Sequence, residues 1–336
     1  MIPVHEEVST VKAFTTAVVA VLAAAAALAA PAAARSATPD HELLRTYQPV
    51  TVFDPSERFR PTSVQSFVAD AQLEQLSGGT WTVVDPDPEP GELPAPGSGV
   101  WRLNQRSCST AAPLGGLACY AGAWDEGSGG TTVYGRVARL SDAIVLQYWL
   151  FYYDDVYSYV YPPADVLWQA HEGDWEVVNV VLSSDATPVR AGYSQHCLGE
   201  TRAWSDVSRR DGTHPVVYVA AGSHANYFTP GAHQFDVRCI PPAVLGLLLQ
   251  HGLPLPVDVA GIGEAAATPG SGLEPTTIKA ANESSSWVRF DGFWGEGQFF
   301  HSPFTGTVPF GTSPVGPALH AVWSDPLGTL AAWTAS

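Results

Sequence analysis

The residues best suited to chemistry lie in one short segment, HEGDWE, directly before the apolar run VVNVVL. In an extended chain Asp174 and Glu176 share a face, because side chains alternate along a strand, while Trp175 points the other way into packing. Gly173 permits a turn that would bring His171 over the same face. Two carboxylates and an imidazole that converge in this way predict a divalent-cation site or an acid–base pair.

A second polar segment, GSHANY, follows the apolar run PVVYVAA and places His224 and Asn226 on one face. His196 and His214 lie at the ends of other predicted strands, and we count all four residues as further site candidates. For any single histidine, a hydrogen-bonded structural role is the simpler interpretation. The segment GYSQH resembles the start of a G-x-S-x-G elbow, but a histidine stands where the second glycine must allow the tight turn, so it predicts no nucleophile.

The charge of the chain excludes one class of partner. The 336 residues carry a formal charge of −17. Such an acidic balance repels phosphate backbones, and affinity for nucleic acid depends mainly on clustered lysine and arginine, so we expect no nucleic-acid partner. Hydrophobic residues make up 46% and charged residues 15%, which is typical of a folded chain with a substantial core.

Strands must position the polar segments. The runs Ile144–Tyr153 and Val177–Leu182 are apolar on both faces, which predicts central strands covered on two sides. Pro215–Ala221 predicts a third strand. The proline-rich segment Asp85–Gly99 cannot join a central strand, and Gly261–Ser286, rich in small residues, is interpreted as a second surface excursion.

Two helices are expected beside the strands. Val64, Phe67, Val68 and Ala71 have the spacing of one apolar helical face, with a capping box formed by Thr62 and Gln65. A second short helix is predicted from Pro242 to a stop at Gly252. Many turn-separated strands with few helices predict a mainly β protein, an antiparallel β-sandwich or jelly-roll-like single domain with a few short covering helices.

The N-terminus has the pattern of an export signal. Ala13–Ala30 is an apolar run that is followed by Pro31 and three alanines, which predicts a signal peptide over residues 1–34 and a single β-rich domain over 35–336. Alanine contributes little transfer free energy, so the run is a weak membrane anchor. We therefore expect a secreted, extracellular protein whose contact with membranes is peripheral at most.

Four cysteines, an even number in an exported chain, favour two disulfides. Three pairings are open. Cys108 and Cys119 flank a short loop, while Cys197 and Cys239 bracket the central polar region, so we predict that neighbours pair. A Cys/His metal site is the alternative, but the chain has no C-x-x-C spacing.

Several blocks together resemble the vacuolar protein sorting-associated protein 62 family. They are YQPVTVFDPSERFRPTSVQSF from Tyr47, YWLFYY, HEGDWEVVNVVL, HPVVYVAAGSHANYF from His214, WGEGQFF and SPVGPALHAVWSDP. The resemblance touches most of the chain after the signal segment. It implies a fold more than an activity, and an exported chain departs from the sorting role in the family's name.

A more distant resemblance, to the necrosis- and ethylene-inducing peptide-like proteins, is carried by the pattern H-x-x-D-W-E. These are secreted β-sandwich toxins in which an Asp, a His, an Asp and a Glu surround a divalent cation used to recognise membrane lipid headgroups. The resemblance implies His171, Asp174 and Glu176 as ligands, with Asp154 or Asp155 as the fourth. It favours Ca²⁺ or Mg²⁺, although a mixed oxygen and nitrogen set also suits Mn²⁺ or Zn²⁺. A Glu-Gly pair replaces the family's basic pair, so lytic activity is not implied.

Three functions remain open at this stage. The first is a cation-dependent module that binds a glycan or a lipid headgroup. The second is a secreted hydrolase that uses Asp174 or Glu176 as base with His171 or His224 as partner. The third is a structural polar network, without metal, that fixes the register of the strands.

Overall fold

Two long antiparallel strands form the centre of the structure, a computed structural model. They are β6 (Ala143–Tyr161) and β7 (Asp165–Ser183), and they pair along their whole length. The structure describes residues 38–54, 57, 59–106, 108, 132–161, 165–252, 255–261, 277–302, 304 and 306–333. The β6–β7 pair contains both apolar runs that were predicted to be central strands, so that prediction is confirmed.

The largest sheet has eight strands in the order β15-β5-β6-β7-β16-β17, with β8 on β7 and β9 on β8. The first part of β7 pairs with β16 and the last part with β8, so β7 has neighbours on both sides throughout much of its length. All pairs are antiparallel except β15 with β5. The remaining strands of this sheet are β5 (Thr132–Arg139), β8 (Pro188–Gln195), β9 (Leu198–Ala203), β15 (Thr277–Ala280), β16 (Gln298–Ser302) and β17 (Gly306–Gly311).

Three smaller sheets surround this one. The first joins β1, β11, β10 and β12, and its β1–β11 pair is parallel. The other two have the orders β3-β2-β4 and β13-β14. Their strands are β1 (Val50–Phe53), β2 (Ala71–Ser77), β3 (Thr80–Asp85), β4 (Trp101–Gln105), β10 (Arg209–Arg210), β11 (His214–Val219), β12 (Asn226–Tyr227), β13 (Gly231–Gln234) and β14 (Val257–Ala260).

The helices of the described residues are short, and none is longer than nine residues. The α-helices are α1 (Asp40–Thr46), α2 (Val64–Asp70), α3 (Pro242–Gln250), α4 (Ser286–Arg289), α5 (Ala321–Ser324) and α6 (Pro326–Ala332). Short 3-10 helices span Trp204–Asp206, Val237–Cys239 and Pro317–Leu319. No helix in the described part of the chain is long and apolar enough to cross a membrane.

Helix α2 corrects a detail of the sequence analysis. Its N-cap is Ser63, whose side chain accepts a hydrogen bond from the backbone N–H of Ser66, so the predicted Thr62 capping box is wrong. Ala71 was assigned to the apolar face of this helix, yet it is the first residue of β2. The chain leaves the helix there because the extended backbone lets it enter the three-stranded sheet.

One hydrophobic core is packed around the central strands. Its largest fully buried side chains include Trp149, Phe151 and Trp294, and Trp175 packs against the last two with ring centroids 4.5 and 5.3 Å apart. Pro39–Ser336 forms one compact unit. The predicted fold class, a mainly β and mostly antiparallel single domain with a few short helices, is confirmed.

Two placements differ from the sequence analysis. The segment HEGDWE lies inside β7 rather than before it, because the strand continues on both sides of a local irregularity at Gly173. The excursion predicted at Gly261–Ser286 contains β15, which pairs with β5, while residues 262–276 lie outside the described residues. The other predicted loop, Asp85–Gly99, has no strand after Asp85.

The cysteine prediction is confirmed for one pair. Cys197 and Cys239 form a disulfide with a Cα–Cα distance of 5.4 Å. Cys108 is also disulfide-bonded, and its predicted partner, Cys119, lies outside the described residues. The signal peptide predicted at residues 1–34 lies outside them as well, and the predicted domain limits stay a prediction.

Candidate metal centre

A glycine shapes the middle of the central strand pair. Gly173 has a φ of +63°, and a Cβ at this position would clash with the backbone carbonyl oxygen of Trp294. Only glycine combines this left-handed backbone with so close an approach. The resulting irregularity lets His171 place its Nδ1 atom 2.8 Å from the carbonyl oxygen of Gly173. The turn predicted from the sequence is therefore present and holds the imidazole ring.

Three side chains of β6 and β7 converge beside this irregularity. Asp155, His171 and Asp174 each offer one ligand atom, and these atoms all lie within 4.8 Å of one another. Nε2 of His171 is 3.5 Å from Oδ2 of Asp155. The three side chains keep 10 to 14% of their surface exposed. This group could hold a metal ion, and it is open to solvent on one side.

The hydrogen bond of His171 determines which of its nitrogens could bind an ion. A carbonyl oxygen only accepts hydrogen bonds, so the Nδ1 atom that faces Gly173 must carry the proton. In the neutral ring the lone pair is then on Nε2, the nitrogen directed at Asp155. Histidine ligands of metals have this arrangement, in which one nitrogen donates to a carbonyl oxygen and the other binds the ion.

Glu176 shares the face of Asp174, as predicted, but other groups engage it. Its Oε2 atom accepts a short hydrogen bond from Oγ of Ser194 and a second one, at 3.2 Å, from Nδ2 of Asn226. Burial, together with the negative charge of Asp174, raises the pKa of Glu176 well above its ordinary value. Glu176 is therefore bound by Ser194 and Asn226, and its role as a ligand stays a prediction.

Two further carboxylates lie close by and differ in their partners. Glu172 is fully buried, and its Oε2 accepts backbone N–H groups from Gln105 at 3.1 Å and Glu296 at 2.8 Å. Asp154 is also fully buried, but neither of its oxygens has a hydrogen-bond partner among the described residues. Burial raises the pKa of Asp154 well above its ordinary value, and the charge of Asp155 adds to this effect. Glu172 is thus a structural anchor, whereas Asp154 is a buried group with unused acceptors.

His224 lies on the inner side of the group and has no exposed surface. Its Nδ1 is 3.1 Å from Oδ2 of Asp174, and its Nε2 is 3.6 Å from Oε1 of Glu57. The ring stacks on Tyr152 with centroids 3.8 Å apart. Burial alone would lower the pKa of His224, but the two carboxylates outweigh it and raise the pKa well above the ordinary value. The two carboxylates therefore favour the charged form of His224.

His196 belongs to a separate group of partners around Asp258. Oδ2 of Asp258 accepts hydrogen bonds from Nε2 of His196 at 2.7 Å and from the hydroxyl of Tyr227 at 2.5 Å, while Oδ1 accepts from Ser223 at 2.6 Å. Burial lowers the pKa of His196, but Asp258 outweighs this effect and raises it. The last candidate, His214, has its Nδ1 atom 2.9 Å from the carbonyl oxygen of Gln48 and makes no contact with the other candidates among the described residues.

Carboxyl groups outnumber imidazole groups in this buried region. We refer to its carboxylates as the acidic cluster: Glu57, Asp154, Asp155, Glu172, Asp174 and Glu176. All six residues are buried, and the imidazole groups in contact with them among the described residues are those of His171 and His224. Burying a charge is costly unless it is paired or binds a metal ion. The residues therefore fit a cation both by donor type and by charge.

Sequence reasoning did not assign roles to Glu57, Ser194 and Asp258. Glu57 reaches His224 from a loop after β1, Ser194 reaches Glu176 from the end of β8, and Asp258 reaches His196 from β14. Each contact spans between 18 and 167 residues of sequence. Because no spacing rule joins such distant positions, only the tertiary structure could reveal them; the YSQH segment was the one local signal for Ser194.

Comparison with known proteins gave structural matches only. No family model and no curated protein matches the chain, so membership of the vacuolar protein sorting-associated protein 62 family stays a prediction.

Similar solved structures include NLPPya in complex with mannosamine, at 17% identity over 57% of this chain and 69% of that chain, with a TM-score of 0.30. Necrosis and Ethylene inducing Protein 2, from the causal agent of cocoa's witches' broom disease, matches at 18% identity over 58% and 69%, with a TM-score of 0.31. The non-toxic protein HaNLP3 matches at 18% identity over 56% and 68%, also with a TM-score of 0.31. Likenesses this distant assign neither a family nor a function to the chain.

Proposed function

We propose that the protein binds a divalent cation through Asp155, His171 and Asp174 and uses it to hold a ligand at its surface. The observation that carries the proposal is the convergence of three ligand atoms within 4.8 Å of one another. Their donor types, two carboxylate oxygens and an imidazole nitrogen with its lone pair on Nε2, are those that divalent ions bind.

The surroundings of the three side chains support the same proposal. Both oxygens of Asp154 and Oδ1 of Asp155 are buried without a hydrogen-bond partner among the described residues. A divalent cation would offset the repulsion within the acidic cluster and would give these oxygens a counter-charge. Of the two aspartates predicted as alternatives for the fourth ligand, Asp155 belongs to the three converging side chains. Glu176 remains our prediction for a further ligand, and Asp154 is the other candidate.

The donor set is compatible with several ions. Ca²⁺ takes six to eight oxygen ligands and Mg²⁺ six, so three protein ligands leave positions for water or for a bound molecule. The imidazole also suits Mn²⁺ or Zn²⁺. Ca²⁺ or Mg²⁺ is preferred on the sequence resemblance around H-x-x-D-W-E. When bound, the ion would supply a positive charge and open coordination positions at the solvent-facing side of the group.

The ligand that we propose is a glycan or a lipid headgroup, met outside the cell. Both offer hydroxyl or phosphate oxygens that can complete the coordination of such an ion. The disulfide between Cys197 and Cys239 supports an oxidising compartment. Contact with a membrane would be peripheral, through the headgroup, and no nucleic-acid partner is expected for so acidic a chain.

Calorimetric titration tests the cation site. Wild type purified with chelator and then dialysed is titrated separately with Ca²⁺, Mg²⁺, Mn²⁺ and Zn²⁺, beside Asp174→Asn and the control Asp142→Asn, which alters an exposed carboxylate. We expect wild type and control to bind at least one ion with sub-millimolar affinity and Asp174→Asn to bind it much more weakly. A wild type that binds none of the four ions contradicts the proposal.

A further inference from the structure

Glu57 is a carboxylate of the acidic cluster that the main chain holds in place. Glu57 is 6% exposed, and each of its oxygens accepts a backbone N–H group. Oε1 accepts from Phe59 at 2.6 Å, and Oε2 accepts from Gly222 at 2.5 Å. Glu57 is therefore fixed by the main chain on two sides, in the way that a carboxylate serving as an anchor must be.

His224 connects this anchor to the proposed cation site. Its Nε2 lies 3.6 Å from Oε1 of Glu57, an ion-pair distance rather than a hydrogen bond, and its Nδ1 lies 3.1 Å from Oδ2 of Asp174. Parallel stacking on Tyr152, with 1° between the ring planes, constrains the plane of the imidazole. In the observed orientation the ring bridges the two carboxylates.

The backbone conformation of His224 requires stabilisation by its surroundings. Its φ is +53°, in the left-handed region that residues with a Cβ rarely adopt. Such a conformation persists only where the surrounding contacts hold it, and it occurs often at functional sites. Here those contacts include the stacked Tyr152, the two carboxylates and a hydrogen bond from the His224 N–H to the carbonyl oxygen of Ala220.

We propose that Glu57 and His224 act as positioning residues that orient Asp174 for cation binding. His224 engages Oδ2 of Asp174, while the second oxygen of that carboxylate has no hydrogen bond among the described residues. The carboxylate is therefore held in one rotamer with an oxygen free for an ion. Glu57 touches none of the three proposed ligands and acts on Asp174 through His224. This inference rests on the proposed cation site and adds two residues to it.

We call Glu57, His224 and Asp174 the relay, because Glu57 acts on Asp174 through His224. This arrangement makes a specific prediction for paired substitutions. Hydrogen-bonded residues behind metal ligands typically contribute 10- to 100-fold to metal affinity. We expect His224→Gln to weaken binding of the ion that wild type binds most tightly by about this factor, and Glu57→Gln to weaken it by less. Because Glu57 acts through His224, adding Glu57→Gln to His224→Gln should cause no further loss.

Calorimetric titration of the four proteins provides the test, with His214→Gln as the matched control. His214 is a half-buried histidine whose ring nitrogen faces a carbonyl oxygen outside the cluster, so its substitution should leave the affinity unchanged. Circular dichroism and melting curves identify any variant that does not fold. A folded His224→Gln that binds the ion as tightly as wild type overturns the relay, and so do independent, additive losses in the double variant.

A measurement on the unaltered protein covers the case in which His224→Gln does not fold. The amide of Gly222 donates to Glu57, so an ion that tightens the relay should slow hydrogen exchange at this amide in wild type. If an ion binds without changing this exchange, the result contradicts the role proposed for Glu57 and His224 but not the proposed cation site. If wild type binds none of the four ions, both the relay and the proposed function fall.

Discussion

Asp154 and Asp258 are both fully buried, yet the structure treats them in opposite ways. Asp258 accepts hydrogen bonds from three side chains, His196, Ser223 and Tyr227. Asp154 accepts none among the described residues, and its neighbours Asp155 and Glu172 are themselves acidic. Among the described residues, Asp258 therefore has a full set of partners, whereas both oxygens of Asp154 are unused acceptors.

The contrast separates two kinds of polar network. Around Asp258 the protein pairs one carboxylate with one imidazole and two hydroxyls, which is a complete structural arrangement. In the acidic cluster, six carboxyl groups contact two imidazole groups among the described residues and both oxygens of Asp154 have no hydrogen-bond partner there, which is why we propose a cation. Structural networks and binding sites can therefore be distinguished by how well their charges and hydrogen bonds are matched.

The largest expected effect comes from breaking the complete network. Asp258→Ala removes the acceptor of three buried donors and leaves His196 without its counter-charge. We expect unfolding by urea to show a loss of about 3–5 kcal/mol, the typical cost of removing one partner of a buried pair. A loss below about 1 kcal/mol would mean that the hydrogen bonds around Asp258 contribute little to stability. Asp258 would then not be an example of a stabilising structural network.

The pH dependence of stability tests the same network around Asp258. The pKa of His196 is raised in the folded protein, so the stability that its charged form contributes is fully present below the unfolded pKa of about 6.5 and is lost as the pH rises through the folded value. His196→Gln should therefore cost about 1.5–3 kcal/mol near pH 6, the usual worth of a hydrogen bond to a charged group. This cost should shrink towards alkaline pH. Urea unfolding of both proteins at several pH values measures it, and a cost that grows with pH would contradict the assignment.

The smallest expected effect concerns Asp154 itself. Asp154→Asn removes no hydrogen bond within the described residues and relieves repulsion with Asp155. In buffer with chelator we expect the unfolding free energy to change by less than about 1 kcal/mol. A loss as large as that of Asp258→Ala would show that Asp154 already has a stabilising partner without a cation.

Local patterns in the sequence predicted the parts of the site that lie on one strand. Alternation placed Asp174 and Glu176 on one face and Trp175 in the core, and Gly173 correctly marked the backbone irregularity. The same reasoning placed the segment at a strand end, because the polar residues looked like a terminus. In the structure they lie inside β7, where β6 pairs with them on one side.

The remaining parts could not be predicted, because they come from distant loops and strands. Glu57 reaches His224 across 167 residues, and Asp258 reaches His196 across 62. His196 and His224 were both site candidates. Only the structure shows that His196 contacts Asp258, whereas His224 contacts the acidic cluster. The pairing of Cys197 with Cys239 was predicted from their order along the chain, and the structure confirms it.

The most direct test of the central claim is the melting temperature of wild type with and without divalent ions. A ligand at 100 times its dissociation constant stabilises a folded protein by about 2.7 kcal/mol, so the ion that binds the acidic cluster should raise the melting temperature by several degrees. Asp174→Asn should lose most of this increase, while Asp142→Asn should retain it. An unchanged melting temperature of wild type in saturating Ca²⁺, Mg²⁺, Mn²⁺ and Zn²⁺ would contradict the claim that the acidic cluster binds a cation.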